Sequence, residues 1–192
     1  MSGAVQQTLM FIIQFLFGLY SFMLVLRVWI RMNGIQANHP LLVSIAKLTN
    51  PLVNRLKKWI PDVAYIEISG ITLLLGVTLV KLLLVSAVAW HVPHIPGLFA
   101  WTLISAVEVF LDVVFYAMII FAILSWIPNV QPELYSLLSQ ITAPLLMPIR
   151  RCLPLFGGLD LSPVVLLLLV QVLEMLLVHP VMRASLMATF QT

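Results

Sequence analysis

Residues 48–69 read LTNPLVNRLKKWIPDVAYIEIS, and residues 141–162 read ITAPLLMPIRRCLPLFGGLDLS. The two stretches align without a gap at a constant offset of 93. Thr49 meets Thr142, Pro51 meets Pro144, Leu52 meets Leu145, Pro61 meets Pro154 and Ser69 meets Ser162; Lys57-Lys58 is answered by Arg150-Arg151 and Glu67 by Asp160. A spacing this constant marks a tandem duplication, and it gives each residue a partner position against which its role can be weighed.

Composition places the duplication in a membrane. The 192 residues are 62% hydrophobic and 9% charged, against about 25% charged in an ordinary soluble domain, and the mean hydropathy is +1.11. Too little polar sequence remains for a separate soluble domain. The single cysteine, Cys152, excludes an internal disulfide and any multi-cysteine metal site.

Crossing a hydrocarbon layer about 30 Å thick takes about 20 helical residues. Four apolar segments meet that length, near 8–30, 70–90, 101–127 and 163–180. The first has no basic leading region and no small-residue cleavage site, so it reads as an uncleaved membrane helix. Ser69 and Ser162 stand as N-caps of the second and fourth helices, and Pro163 takes the first-turn position that proline tolerates. The expected fold is therefore an all-α membrane protein with four transmembrane helices in two parallel tandem repeats, residues 1–95 and 96–192, each carrying a long loop between its helices.

Eight of the ten Lys and Arg, namely Arg27, Arg31, Lys47, Arg55, Lys57, Lys58, Arg150 and Arg151, fall at these two loops. The positive-inside rule then places the loops in the cytoplasm and both termini outside. Within the first loop, residues 40–60 form an amphipathic helix with Leu41, Ile45, Leu48, Leu52 and Leu56 on one face. Lys47 and Lys58 lie opposite, with Arg55 and Lys57 at the flanks. Trp59 is a ring of the kind that settles at the interface, and Pro51 is expected to kink or divide the helix. Residues 133–153 repeat the pattern through Leu134, Leu137, Leu138, Ile141, Leu145 and Ile149. With fewer charges and an added Pro148, this copy is expected to sit deeper, as an interfacial or re-entrant segment. Lys47, Arg55, Lys57, Lys58, Arg150 and Arg151 form a basic surface for anionic headgroups, worth about 1 kcal/mol each, or for another membrane protein. No recognition motif accompanies them, so no specific nucleic-acid partner is implied.

The pattern RVWI at Arg27–Ile30, its counterpart LSWIP at Leu124–Pro128, the twice-used T-x-P-L followed by a basic pair and proline, and DLSP at Asp160–Pro163 together resemble the YggT/YlmG family over nearly the whole chain. The closest likeness is to its duplicated, four-helix bacterial form. The first copy departs from the LSWIP pattern, with Val28 in place of Ser125 and Arg31 in place of Pro128. The resemblance implies a small protein of the bacterial inner membrane with no established enzymatic activity. It also implies links to osmotic or salt tolerance and to division-associated genes, and in plastid relatives to cytochrome b assembly and nucleoid distribution.

Four ionisable residues lie within the expected helices. Lys81 is about 18 Å into the second helix at 1.5 Å per residue, and the repeat offset maps it onto Glu174 in the fourth. Glu108 and Asp112 stand four apart on one face of the third helix. Gln14 and Gln171 are placed to extend a polar network. A charge at this depth costs about 2.5 to 3.5 kcal/mol, so such groups pair, bind a partner helix or relay an ion. His91, His94 and His179 are candidate imidazole ligands on the outer side, but Pro93 interrupts their spacing and neither metal nor cofactor is expected. No nucleophile elbow, phosphate loop or HExxH motif is present. The sequence thus favours a non-enzymatic scaffold or assembly factor, with a small ion, proton or osmolyte transporter, or an accessory subunit of one, as the alternative.

Overall fold

The computed structural model describes residues 3–35, 39–63, 66–89, 95–127, 131–152, 160–178 and 180. Among them it is helical throughout, apart from one isolated bridge between Val63 and Ile66. The helices are α1 (Gly3–Met32), α2 (Pro40–Lys57), α3 (Ile68–Val88), α4 (Ile95–Trp126), α5 (Pro132–Cys152) and α6 (Ser162–Leu173), the last running on into a π-helical turn at Glu174–Val178. Among the described residues three helices are long and apolar enough to cross a membrane: α1, α3 and the stretch Gly97–Leu124 of α4. The apolar helix Ser162–Val178 is shorter.

Helices α1 and α3 run antiparallel. At one end Gln6 Nε2 donates to the Val88 carbonyl at 3.0 Å, and at the other Arg27 meets Glu67. The buried row of α3, Gly70, Leu74, Thr78, Leu82 and Ser86, keeps a four-residue spacing, and its small members let a neighbouring backbone approach. Thr78 and Ser86 return their hydroxyls to the carbonyls of Leu74 and Leu82, so neither leaves a bare polar group in the core. A Cβ on Gly70 would lie 2.8 Å from Val28 Cγ2 of α1 and 3.1 Å from Glu67 Oε2. Only glycine admits both neighbours there.

α1 closes with Gly34 at φ 63°. Its N–H donates to the Arg31 carbonyl and that of Ile35 to the Ile30 carbonyl, at 3.2 and 3.0 Å. This arrangement satisfies the last turn and folds the chain back beneath α2.

α2 has three faces. Leu42, Thr49 and Val53 are buried against the bundle, Leu41, Leu48 and Leu52 are exposed, and Lys47, Asn54, Arg55 and Lys58 form the polar side. The apolar row legible in the sequence is therefore mostly the exposed one, and the row one step around the helix makes the packing. α5 buries Leu137, Leu138, Ile141, Thr142 and Leu146. Leu137 and Ile141 share a core cluster with Ile30, Leu42 and Ala117, which joins α1, α2, α4 and α5 at one end of the bundle.

One expectation about local structure narrows and one changes. Pro51 does not divide α2, and α5 runs unbroken through Pro144 and Pro148. Each proline removes one N–H donor from a helix that tertiary packing holds in place. Nor are Ser69 and Ser162 N-caps; they lie in the first turns. Asp62 Oδ1 accepts from the Ser69 hydroxyl and N–H at 2.7 and 3.3 Å, and Asp160 Oδ1 accepts from the Ser162 N–H at 3.0 Å. A carboxylate is the stronger acceptor and suits the positive end of a helix. Pro163 does occupy the first turn.

Candidate functional site

Charge is arranged in two layers. The first lies where the C-terminal end of α1, the C-terminal end of α2 and the N-terminal end of α3 meet. Glu67, fully buried, accepts from Arg27 Nε at 2.9 Å and Nη2 at 3.1 Å, from Arg31 Nη1 at 2.8 Å, and pairs with Lys57 Nζ at 3.0 Å. Asp62 takes Arg31 Nη1 at 3.0 Å and Lys57 Nζ at 3.1 Å. Arg27 Nη1 also donates to Thr49 Oγ1 and Asn50 Oδ1, both at 2.7 Å. The helix spacing of Arg27 and Arg31, one turn apart, brings both guanidiniums to the same carboxylate.

Burial alone would raise the Glu67 carboxyl. The hydrogen bonds and charges of Arg27 and Lys57 outweigh it and hold the group below the usual carboxylate range. Burial is likewise the largest influence on Asp62, yet Ser69 and Lys57 hold it low.

The second half carries a smaller version. Arg150 Nε and Nη2 reach Asp160 Oδ2 at 2.8 and 2.7 Å, and the Ser162 hydrogen bonds lead in depressing Asp160. Lys57 and Glu67 stand 93 residues before Arg150 and Asp160, so the two halves make corresponding ion pairs. Thr49 and Thr142 are both buried and both donate to the carbonyl four residues back. Among the described residues, only Thr49 receives an arginine.

Between these halves Trp29 Nε1 donates to the Ile141 carbonyl at 2.9 Å while its ring packs edge-on against Phe110, centroids 5.4 Å apart.

The second layer is a cleft of about 640 Å³ between α1, α3 and α4, lined by Gln14, Lys81, Glu108 and Asp112 together with aromatic rings that include Phe15, Trp101 and Tyr116. Lys81 lies within electrostatic range of Glu108 and Asp112, and Asp112 within range of Glu174. Gln171 Nε2 donates to Glu174 Oε2 at 3.2 Å, and the helix widens into its π turn from Glu174 onward. The four charges expected from the sequence are thus linked pairwise, with Lys81 and Asp112 each in electrostatic range of two others. Leu24, Val25, Leu74, Val109 and Val113 of these three helices pack in one apolar cluster with Val53 of α2.

Of the expected basic surface, Lys47, Arg55, Lys58 and Arg151 are exposed, whereas Lys57 turns inward and Arg150 pairs with Asp160. The candidate imidazoles His91, His94 and His179 lie outside the described residues. No group of three or more His, Cys, Asp or Glu placed to hold a metal occurs among the described residues. Sequence reasoning missed Asp62 and Glu67 as binding partners. The signal was present, because they are the only acids in the first hundred residues and lie between six cations and an apolar helix.

The model of the CCB3/YggT family matches residues 6–88 and 100–181. An uncharacterized protein of Pseudomonas aeruginosa is 34% identical over 175 residues, covering 88% of this chain and 87% of that protein. Uncharacterized protein YggT of Escherichia coli strain K12 is 29% identical over 168 residues, 88% of each chain. A protein encoded in the proC 3′ region of Vibrio alginolyticus is 30% identical over 158 residues, 81% of this chain and 85% of its own. No solved structure matches the chain.

Proposed function

The chain belongs to the CCB3/YggT family, and we propose that it serves as a non-enzymatic scaffold of the cytoplasmic membrane that holds a partner's transmembrane helix in the α1–α3–α4 cleft. The observation that carries this reading is the cleft itself, a charged recess between helices of membrane-crossing length. Charges at that depth are stabilised by partners rather than by water. Polar groups between helices in lipid serve as glue, commonly worth about 0.6 to 2 kcal/mol each. Along α1 and α3 the buried Leu24, Val25 and Leu74 stand between the cleft-lining residues and Arg27 and Glu67, which suits a docking recess better than a through-path.

In this reading the helix Ser162–Val178 is the fourth span, and the halves 1–95 and 96–192 are parallel repeats. The two segments of the family match, one in each half, support that division. The loops carrying α2 and α5 face the cytoplasm by their lysines and arginines, and both termini face outward. Holding a partner in this way accords with the roles in membrane-complex assembly and osmotic tolerance that the family resemblance implies.

A second reading, an ion or proton transporter, is favoured by one observation: Asp112 within electrostatic range of Glu174, where the helix opens into a π turn, a distortion often found at functional sites. One experiment separates the two. A photo-crosslinking residue at Phe15 or Tyr116, on the cleft, is compared in native membranes with one at Leu168, exposed elsewhere. The scaffold reading expects a discrete adduct from the cleft positions alone, lost when Asp112→Leu is added. Lipid adducts alone at all three positions, together with cation or proton flux in proteoliposomes that Asp112→Leu abolishes, would establish the transporter instead.

A further inference from the structure

We propose that the pocket between the C-terminal turn of α1 and the inner side of α2 binds one phospholipid with an anionic headgroup. The pocket encloses about 220 Å³, with Arg27 and Arg31 at its polar side and Ile30, Ile35, Leu42 and Ile45 as its apolar wall. This site is separate from the cleft and does not rest on the scaffold reading.

Three features specify the ligand. The first is charge. Arg27, Arg31 and Lys57 face Asp62 and Glu67, which leaves the cluster one positive charge in excess. Glu67 also lines the pocket, but its carboxylate is already taken up by three cations. Arg31 makes both of its ion pairs through Nη1, so its Nε and Nη2 donors have no partner among the described residues. A guanidinium with donors to spare is well suited to a phosphate oxygen.

The second feature is the wall. Several branched apolar side chains facing the same opening would leave a free phosphate or a nucleotide with no use for them, whereas an acyl chain covers them. At about 30 Å³ per water-sized unit, the pocket admits the phosphate and glycerol region with the first part of one chain, and the remainder of the lipid lies outside.

The third is depth. The pocket sits at the adjoining ends of α1 and α3, both of membrane-crossing length, beside the exposed leucines of α2. This is the level at which headgroups lie.

The test uses the full chain in detergent, exposed in parallel to phosphatidylglycerol, phosphatidylcholine and inorganic phosphate, with bound lipid counted by native mass spectrometry. The expected result is one retained phosphatidylglycerol and little phosphatidylcholine. Arg31→Gln should lower retention about fivefold, the loss of one cation at a headgroup. Ala46→Phe, which fills the pocket without touching a charge, should do the same, and Gln140→Ala on the exposed side of α5 should change nothing. Should Arg31→Gln fail to fold, Ala46→Phe decides. Equal retention of phosphatidylcholine, displacement of the lipid by millimolar inorganic phosphate, or retention by Ala46→Phe within twofold of the unsubstituted chain would overturn the assignment.

Discussion

The same chemical change made at two corresponding positions, Glu67→Gln and Asp160→Asn, should have very unequal effects. Each removes one negative charge and keeps the shape of the side chain. Glu67 is fully buried and touches three cations through four N···O contacts of 2.8 to 3.1 Å; the side chains of Arg27, Lys57 and Arg31 are 14%, 29% and 40% exposed. Removing one partner of a buried pair costs about 3 to 5 kcal/mol because a charge is left without compensation. The cations here retain some water and Asp62 remains, so the lower end, about 3 kcal/mol, applies. The glutamine amide would also turn a donor toward a cation. In the second half, Arg150 and Asp160 are 49% and 33% exposed, and a pair so wet contributes under about 1 kcal/mol. Asparagine can still accept the Ser162 N–H, since it caps helices nearly as well as aspartate. The two variants should therefore differ by about 2 kcal/mol in equilibrium unfolding with denaturing detergent in mixed micelles. The reasoning fails if Glu67→Gln lies within 0.5 kcal/mol of the unsubstituted protein (about the spread of neutral surface changes), or if Asp160→Asn is as costly.

Acid should weaken the fold from below pH 4. The Glu67 and Asp62 carboxyls are held below their ordinary values, so their contribution is fully present above an unfolded value of about 4 and is lost as pH falls through the lower folded values. Unfolding measured from pH 7 to pH 3 should be level and then fall, and Glu67→Gln should make the fall shallower. Gly70→Ala places a Cβ 2.8 Å from Val28 Cγ2 and should cost about 1 to 3 kcal/mol by overpacking; Gly76→Ala, with nothing within 4 Å, should be neutral or stabilising by up to about 1 kcal/mol. The same unfolding assay compares them, and equal effects would count against the close approach of α1 and α3. Trp29→Phe keeps an aromatic ring on Phe110 but removes the donor to Ile141, an expected loss of about 1 kcal/mol; an unchanged stability would mean that this bond does not tie the halves together.

The helices were legible because apolar periodicity and length are local properties. The segments read as 70–90 and 133–153 became Ile68–Val88 and Pro132–Cys152. The four charges within the apolar helices were legible for a related reason: any ionisable residue in an apolar run is conspicuous. The α1–α2–α3 layer was not, because Arg27, Arg31 and Lys57 carry the same signature whether they orient the chain, touch lipid or bind Glu67. Only the folding of α3 back along α1 distinguishes these roles. The packing row of α2 was hidden for a similar reason. Leu42 and Val53 lie beside a longer leucine row, and helical periodicity cannot say which of two adjacent apolar rows meets protein and which meets lipid. Asp62 escaped because it lies seven residues before the serine it serves, beyond any local motif, whereas Asp160 stands only two before Ser162, a spacing the sequence does display.

Every member of the buried ionic layer, from Arg27 to Ser69, lies within the first 69 residues of the chain. Synthesis proceeds from the N-terminus at about 5 to 20 residues per second, so this layer can close while the second half is still being made. The completed first half then offers Trp29 to a carbonyl that arrives more than a hundred residues later. The position of this layer in the chain thus sets an order of assembly, in which the ionic contacts among α1, α2 and α3 can form before the Ile141 carbonyl that Trp29 meets has been made.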